Sequence, residues 1–356
     1  MKAIKILSLF LLFQQTSFAQ DIAELVQDGV DQNHFAGAIA AYQVAGEGPV
    51  VATAGLSDID ANLPYGPPTI NRIASITKTM TAVAVLQLWE QGLIDLDAAI
   101  QTYLPDYPNY VEGIITVRHL LQHTSGIDSY RNRETENKEY YPSLATAAEV
   151  FQDRPLMHTP GTQETYSSYG YLVLGMIIEA VSGMTYEAYL QEKIWTPAGM
   201  QHTGVEYADN RPAGMAEFYY RNRRGKIKKS TPNDLSNRIP GGGVYSTAED
   251  LLRFGHAILD GSLIQDSSLQ MMQEQSGVPY EGNPYGMGIF LYGVHPDWGN
   301  VVGHSGGQTG VTSQMFIMTE QRTVVVVLSN TALAGPFVGT IAAKVMRLAY
   351  LDILEE

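Results

Sequence analysis

The chain has 356 residues, a formal net charge of −15 at pH 7 and no cysteine. A surface this acidic repels nucleic acid and anionic membranes, so the sequence favours neither as a partner. Without cysteine there is no disulfide, no thiolate nucleophile and no cysteine metal site, and stability must come from the large core that a chain of this length can bury.

The N-terminus has the pattern of a secretory signal peptide. Two lysines precede an apolar run over 6–13, and a small-x-small cleavage signal ends at Ala19. The alternative is a membrane anchor, but the apolar run is shorter than the roughly 20 residues that span a bilayer. We therefore expect residues 1–19 to be removed, leaving a secreted, periplasmic domain over 20–356 with no stable membrane anchor.

The first predicted elements of the mature chain are a helix and two strands. Apolar residues at helical spacing predict a helix over 21–34, and strands follow over 36–44 and 50–56. A loop that contains proline and glycine, over 63–69, leads into the next region.

The middle of the chain, from 75 to about 235, has the pattern of helices joined by loops. Glycines stop two of the predicted helices, at Gly92 and Gly183. The predicted helices cover 79–91, 117–123, 145–153, 169–182 and 186–194.

A basic stretch over 221–229 stands out against the acidic composition. Gly225 near its centre is typical of a hairpin tip, and runs of charge usually mark solvated surface. We interpret the stretch as a solvated hairpin, and the alternative is a patch that steers an anionic ligand.

The last part of the chain returns to strands. Ser246 to Glu249 is a capping box that opens a helix to Leu259. Strands are then predicted over 285–292, 299–303, 310–318 and 323–328, followed by a helix over 338–351.

This order of elements predicts an α/β (α+β) fold with one antiparallel sheet flanked by helices. Both ends of the chain, 21–74 and 240–356, would build the sheet lobe, and a mostly helical lobe over 75–239 would be inserted between them. The cleft between two such lobes is a favoured place for an active site.

One motif carries nucleophilic chemistry. Ser75-Ile76-Thr77-Lys78 is the only Ser-x-x-Lys in the chain, and it stands where a loop becomes an apolar helix. Side chains three residues apart share one helix face. A partly buried lysine has a depressed pKa, so it can accept the proton that a serine hydroxyl must lose before it attacks. The alternative is a helix N-cap serine beside a solvated lysine.

Two later motifs give the chain a family resemblance. Tyr166-Ser167-Ser168 and then His304-Ser305-Gly306 follow the Ser-x-x-Lys in order. This set resembles the serine β-lactamase and penicillin-binding-protein superfamily, in the peptidase S12 branch of class C β-lactamases, D-alanyl-D-alanine carboxypeptidases, D-aminopeptidases and esterases. The resemblance implies a β-lactamase/transpeptidase-like fold. It extends over nearly the whole mature chain through 115–127, Pro160-Gly161 and Gly241-Gly242-Gly243.

The resemblance also implies residue roles. Ser75 would be the acylated nucleophile, Lys78 would keep the proton network ready, and Tyr166 would pass a proton to the leaving group. Whether Lys78 or Tyr166 is the primary base stays open. The backbone N–H groups of Ser75 and Gly307 would form the oxyanion hole, and His304 would line the strand beside the nucleophile. The expected substrate-binding and oxyanion positions are Ser168, His304, Ser305, Gly306 and Gly307. The resemblance implies no metal and no cofactor. The expected partner is a small-molecule or peptide substrate.

Two departures from the family pattern bear on the substrate. The family's Tyr-x-Asn ends here in Ser168, whose hydroxyl cannot span the same distance or offer two donors. The Lys-Thr-Gly of β-lactamases becomes His304-Ser305-Gly306, which loses a fixed positive charge for a β-lactam carboxylate. We therefore predict a serine hydrolase that forms an acyl-enzyme with D-Ala-type peptides, amides or esters. The alternatives are a class C-like β-lactamase and a non-catalytic penicillin-binding sensor.

Two other patterns suggest different chemistry. Residues 303–307 also fit the Gly-x-Ser-x-Gly of α/β-hydrolases, but a strand pattern follows the serine and no histidine comes after it. His119 and His123 stand four residues apart, as some metal ligands do, but no third ligand is evident. We favour a structural role for both histidines.

Overall fold

The computed structural model describes residues 18–131, 133–279 and 282–355, so residues 1–17 of the predicted signal peptide lie outside the described part. The helices are α1 (18–31), α2 (Thr77–Glu90), α3 (Val117–Leu121), α4 (Leu144–Ala148), α5 (Ser168–Ser182), α6 (Tyr186–Leu190), α7 (Ile239–Gly242), α8 (Ala248–Leu259), α9 (Asp266–Met272) and α10 (Gly335–Glu355). The strands are β1 (Gly37–Val44), β2 (Val50–Asp58), β3 (Leu63–Pro64), β4 (Asn71–Arg72), β5 (Gly204–Val205), β6 (Tyr219–Arg221), β7 (Ile227–Lys229), β8 (Val244–Ser246), β9 (Phe290–His295), β10 (Gly299–Gln308), β11 (Val311–Met318), β12 (Thr323–Ser329) and β13 (Thr331–Ala332). Among the described helices, none has the length and apolar character needed to cross a membrane.

The main sheet joins the two ends of the chain. Its seven strands run in the order β3-β2-β1-β12-β11-β10-β9, and each neighbouring pair is antiparallel. At the centre, Ala41 on β1 pairs with Val51 on β2 and with Val326 on β12. The predicted antiparallel sheet flanked by helices is therefore confirmed.

The central strand β12 has a core on each face because its side chains alternate between them. Val324, Val326 and Leu328 pack into the core that α2, α5 and α8 share. Val325 and Val327 pack into the second core, with α1 and α10. All five side chains are fully buried, and each contributes about 1.5 to 3 kcal/mol of burial free energy. This explains why the strand reads as a continuous apolar run.

Helix α2 carries the Ser-x-x-Lys motif into the centre of the molecule. Residues 77–88 are all buried, so the helix has no solvated face. It contacts α5, α6 and α7 on the helical side of the sheet. A helix enclosed in this way holds its first turn rigidly, which fixes the position of the motif.

Several predicted boundaries are wrong for local reasons. Residues 285–289 are not a strand, because Gly288 (φ +77°) turns the chain so that its carbonyl accepts a hydrogen bond from Thr79 on α2. Strand β10 continues to Gln308 instead of ending at Gly303. The N-cap of α8 is Thr247, whose side chain accepts from the Asp250 N–H, one residue later than the predicted capping box.

The short elements also differ from prediction. Helix α4 ends at Ala148, and α6 ends at Leu190, where a wider π-helical turn follows. The predicted hairpin around Gly225 is confirmed as β6 and β7. The remaining short strands, β3, β4, β5, β8 and β13, and the helices α7 and α9 were not predicted from sequence.

Candidate active site

Ser75 lies in a tight 3₁₀ turn, Ala74–Ile76, at the entrance to α2. The preceding residue, Ala74, has φ +48°, a left-handed conformation that costs a non-glycine residue on the order of 1 kcal/mol. Ala74 is buried and packs close to Gly242 and Gly306, so the surrounding backbone holds this strained turn in place. The turn leaves Ser75 partly exposed although its neighbours are buried.

Lys78 is fully buried and is hydrogen-bonded within the site. Its Nζ lies 3.3 Å from Ser75 Oγ, and it donates to Ser168 Oγ at 2.9 Å and to the Gly241 carbonyl at 2.7 Å. Burial, and secondarily the positive charge of Arg238, lower the pKa of the Lys78 amine well below its usual value. The neutral amine that this favours is a base within reach of the Ser75 hydroxyl.

Ser168 reaches Lys78 despite its short side chain, which corrects the expectation drawn from sequence. The start of α5 is pinned beside α2 by its N-cap, Ser167. The Ser167 N–H donates to His123 Nδ1 at 3.2 Å, and its hydroxyl donates to the Asp128 carbonyl at 2.8 Å. With the backbone this close, a serine hydroxyl suffices to accept from Lys78.

Tyr166 covers Lys78 with its aromatic ring. Lys78 Nζ lies 4.7 Å from the ring centroid, within range of a cation–π contact when the amine is protonated. The His123 ring packs on Tyr166 at 4.2 Å between centroids. The structure thus brings Ser75, Lys78, Tyr166 and Ser168 together around one amine.

Strand β10 passes directly over the turn that holds Ser75. Gly306 lies where this strand meets the turn, and a Cβ there would come within 2.6 Å of the Ile73 carbonyl oxygen and 2.2 Å of Ser313 Oγ. Only glycine fits this approach, which explains the glycine of the third motif. The next residue, Gly307, is exposed and lines the same cavity as Ser75.

His304 does not line the cleft, contrary to the sequence expectation. Its ring is fully buried, with Nε2 3.0 Å from the Tyr285 hydroxyl and Nδ1 2.6 Å from the Ser305 carbonyl oxygen. The carbonyl can only accept, so Nδ1 carries the proton and Nε2 accepts from Tyr285. Burial, reinforced by Lys78, lowers the His304 pKa to about 3, so the imidazole is neutral. The exposed member of the motif is Ser305.

Ser75 opens into a cavity of about 160 Å³. A larger neighbouring cavity of about 1000 Å³ runs along β10 past Ser305 and continues beside β13. The two cavities share Thr135, Gly307, Gln308 and Thr309 as lining residues. A substrate bound across Ser75 could therefore extend along the C-terminal part of β10.

Three groups at this site were not identified from sequence. Tyr130 and Arg238 line the cavity with Ser75, and the Gly241 carbonyl accepts from Lys78. Arg238 lies over the Tyr130 ring, 4.7 Å from its centroid. Tyr130 lies in an irregular segment and Arg238 ends a short 3₁₀ helix, Ser236–Arg238, and the glycine run over 241–243 is the only nearby signal in the sequence.

The two histidines weighed as metal ligands have other contacts. His119 Nδ1 accepts from the Thr116 N–H and closes the N-terminal capping box of α3. His123 is buried, and its ring contacts Tyr166 and Tyr285. Within 18–131, 133–279 and 282–355, no cluster of three or more histidine and acidic side chains is placed to hold a metal.

The chain is similar to known proteins over most of its length. A family model described as Beta-lactamase matches residues 22–348. The human serine beta-lactamase-like protein LACTB, mitochondrial, is 30% identical over 277 residues, which cover 58% of this chain and 50% of LACTB. The chain therefore spans about half the length of this relative. Esterase EstB of Burkholderia gladioli is 27% identical over 385 residues, covering 90% of this chain and 94% of EstB.

A solved structure supports the fold in particular. The D-amino acid amidase from Ochrobactrum anthropi SV3, complexed with L-phenylalanine amide, superposes with a TM-score of 0.82 at 24% identity. The match covers 94% of this chain and 98% of the amidase. The sheet and its flanking helices thus belong to a known architecture.

Proposed function

The chain belongs to the Beta-lactamase family, and we propose that it hydrolyses amides or esters through a covalent acyl-enzyme on Ser75. The observation that carries the proposal is the 3.3 Å contact between Ser75 Oγ and the buried amine of Lys78. Membership of this family, with an esterase among the relatives, supports a serine hydrolase activity. The acyl-enzyme intermediate and the substrate class are our proposals.

The reaction begins with transfer of the Ser75 hydroxyl proton to the basic pair of Lys78 and Tyr166. Ser75 Oγ then bonds to the substrate carbonyl carbon, and the negative charge on the carbonyl oxygen is stabilised by the Ser75 and Gly307 N–H groups. When the carbon–nitrogen or carbon–oxygen bond breaks, the leaving group takes the proton back through Tyr166. Water, activated by the same groups, then releases the acid and frees Ser75.

The substrate assignment favours amides of D-residue peptides and esters over β-lactams. The third motif has a neutral, buried imidazole at His304 where β-lactamases have a lysine. The positive charge that β-lactamases place on this strand for a β-lactam carboxylate is therefore absent from β10, and a carboxylate could be held only from another element of the cavity. We propose a secreted, periplasmic location in keeping with the sequence of residues 1–19.

A labelling experiment tests the nucleophile. A fluorophosphonate probe should modify the protein, and peptide mass mapping should place the adduct on Ser75. The Ser75→Ala variant should neither label nor hydrolyse substrate, whereas Ser305→Ala, which changes the exposed serine of the third motif, should still label. Modification at any residue other than Ser75 would refute the proposal.

A substrate panel tests the activity. Initial rates with a p-nitrophenyl ester, a D-Ala peptide, a D-amino acid amide and nitrocefin should rank nitrocefin last. A nitrocefin rate far above the other three would make the protein a class C-like β-lactamase. A labelled enzyme that never recovers its free serine would instead identify a penicillin-binding sensor.

A further inference from the structure

We propose that Arg238, with Tyr130, forms a carboxylate-binding subsite beside Ser75, so that the preferred substrates carry a negative charge. This inference rests on the proposed function and narrows its substrate class. The positive charge of Arg238 has no role in the catalytic steps described above. Arg238 is only 3% exposed and lines the 160 Å³ cavity that contains Ser75.

The contacts of Arg238 within the protein are all to neutral groups. Its Nε donates to Asn237 Oδ1 at 2.8 Å, and one terminal nitrogen donates to the Glu134 backbone carbonyl at 2.5 Å. The guanidinium also lies over the Tyr130 ring, 4.7 Å from its centroid. A guanidinium has five N–H donors, so these contacts leave donors for a ligand.

The acidic residues close in sequence to Tyr130 and Arg238 are Asp128, Glu134 and Asp234, and each has another partner. Asp234 is buried and accepts from the Ser236 N–H and hydroxyl. The Glu134 carboxylate binds Arg154 at 2.5 Å and the Tyr169 hydroxyl at 2.9 Å, and Asp128 pairs with Arg131. A buried cation without an anionic partner is costly, and here nothing among the described residues neutralises Arg238. A carboxylate of the bound substrate would supply the missing charge, in the bidentate geometry that guanidinium favours.

The location of Arg238 connects this charge to the reaction. Arg238 lies over the Tyr130 ring, both residues line the cavity together with Ser168, and Ser168 accepts a hydrogen bond from Lys78. The cavity lining also includes Ser75 and Gly307. A ligand held by Arg238 thus lies within the same small space as the nucleophile, as a substrate anchor must.

Matched pairs of substrates test the subsite. The first pair is p-nitrophenyl monoglutarate and the neutral p-nitrophenyl pentanoate, which differ by a carboxylate on the acyl chain. The second pair is 4-acetoxybenzoate and 4-acetoxybenzamide, which differ by a carboxylate on the leaving group. In at least one pair we expect kcat/KM to favour the charged member about tenfold or more, the scale of a charge-assisted hydrogen bond. Equal values in both pairs would overturn the proposal.

Variants separate the subsite from general effects of charge. Arg238→Gln should bring the preferred pair's ratio to about one, and Arg238→Lys should retain part of the preference. Arg133→Gln is the matched control, because Arg133 is close in sequence to Tyr130 and its side chain is 90% exposed. A preference that survives in Arg238→Gln, or that is lost equally in Arg133→Gln, would overturn the assignment.

A measurement on the unmodified protein guards against a variant that fails to fold. Glutarate should slow fluorophosphonate labelling of Ser75, whereas glutaramide at the same concentration should not. Equal protection by the two would count against the subsite. If Ser75 labels and both substrate pairs are hydrolysed without regard to charge, only the subsite fails. If Ser75 does not label, or Ser75→Ala keeps its activity, the proposed function fails as well.

Discussion

Replacing Lys78 with methionine should slow acylation by about 10²- to 10⁴-fold, the usual contribution of general acid–base catalysis. This corresponds to about 3 to 5 kcal/mol of transition-state free energy. The variant removes the amine 3.3 Å from Ser75 Oγ and leaves an unbranched chain of similar length in a fully buried site. The serine then has no neighbouring amine to accept its proton.

The cost to stability should be smaller than the cost to activity. Lys78→Met leaves the Gly241 carbonyl and Ser168 without a donor, at about 1 to 3 kcal/mol for each buried group. Methionine offsets much of that loss, because the folded variant no longer carries the free-energy cost of removing an amine from water. We expect the free energy of unfolding to change by no more than about 2 kcal/mol.

The assay is the rate of the p-nitrophenol burst, followed with pH in stopped flow. In the wild type the burst rate should rise with pH through the lowered pKa of Lys78, because only the unprotonated amine accepts a proton. Lys78→Met should lose this rise, whereas Lys193→Met, which changes a lysine whose side chain is 46% exposed, should keep it.

The companion variant Tyr166→Phe decides which residue is the primary base. A larger burst defect in Tyr166→Phe than in Lys78→Met would make the phenol the primary base. Acylation within tenfold of the wild type in Lys78→Met would refute the argument from burial and pKa.

Three further variants probe the surroundings of the site. Gly306→Ala should destabilise the protein and abolish labelling of Ser75, because its Cβ would lie 2.6 Å from the Ile73 carbonyl oxygen. Gly335→Ala is the control, because the space around its Cβ is open. Equal melting temperatures for the two variants would contradict the predicted clash. Burial raises the pKa of Glu164 to about 7, above its usual 4.5, so the folded state loses stability as pH rises from about 4.5 to 7. The free energy of unfolding of Glu164→Gln should therefore exceed that of the wild type by about 1 kcal/mol at pH 8 but not at pH 4, a value reduced because the carboxyl is half-exposed. A difference in thermal unfolding that does not change with pH would refute the raised pKa. Ser168→Ala should slow both burst and turnover about tenfold, since Lys78 loses an acceptor at 2.9 Å, and unchanged burst kinetics would exclude a role for this hydroxyl.

The sequence predicted the elements whose patterns are regular and long. The valine run of β12 and the alternation of β1 and β2 give strong signals because each side chain enters a defined core. The segment 285–289 was mistaken for a strand because its composition is apolar. Its actual course is set by Gly288 against α2, a tertiary contact that no local pattern reports.

The candidate site likewise contains some residues that the sequence predicts and others that only the structure identifies. Ser75, Lys78 and Tyr166 could be found because their chemistry depends on residue type at a fixed spacing. The reach of Ser168 could not, because it depends on the distance between two helices rather than on the length of a side chain. Tyr130 comes from a loop and Arg238 from a short 3₁₀ helix about a hundred residues further on, so only the folded chain shows that they meet.

One charge, that of Arg238, links the proposed substrate preference to the chemistry. Its field is the second cause of the lowered pKa of Lys78, after burial, and so it helps keep the amine unprotonated before substrate binds. A carboxylate bound to Arg238 would offset that field and make the amine a stronger base in the complex than in the free enzyme. The same residue would thus hold Lys78 ready to accept a proton and, once a charged substrate is in place, favour the transfer from Ser75. A neutral substrate would leave the field of Arg238 unbalanced, which gives a physical reason why selectivity and rate should depend on the same side chain.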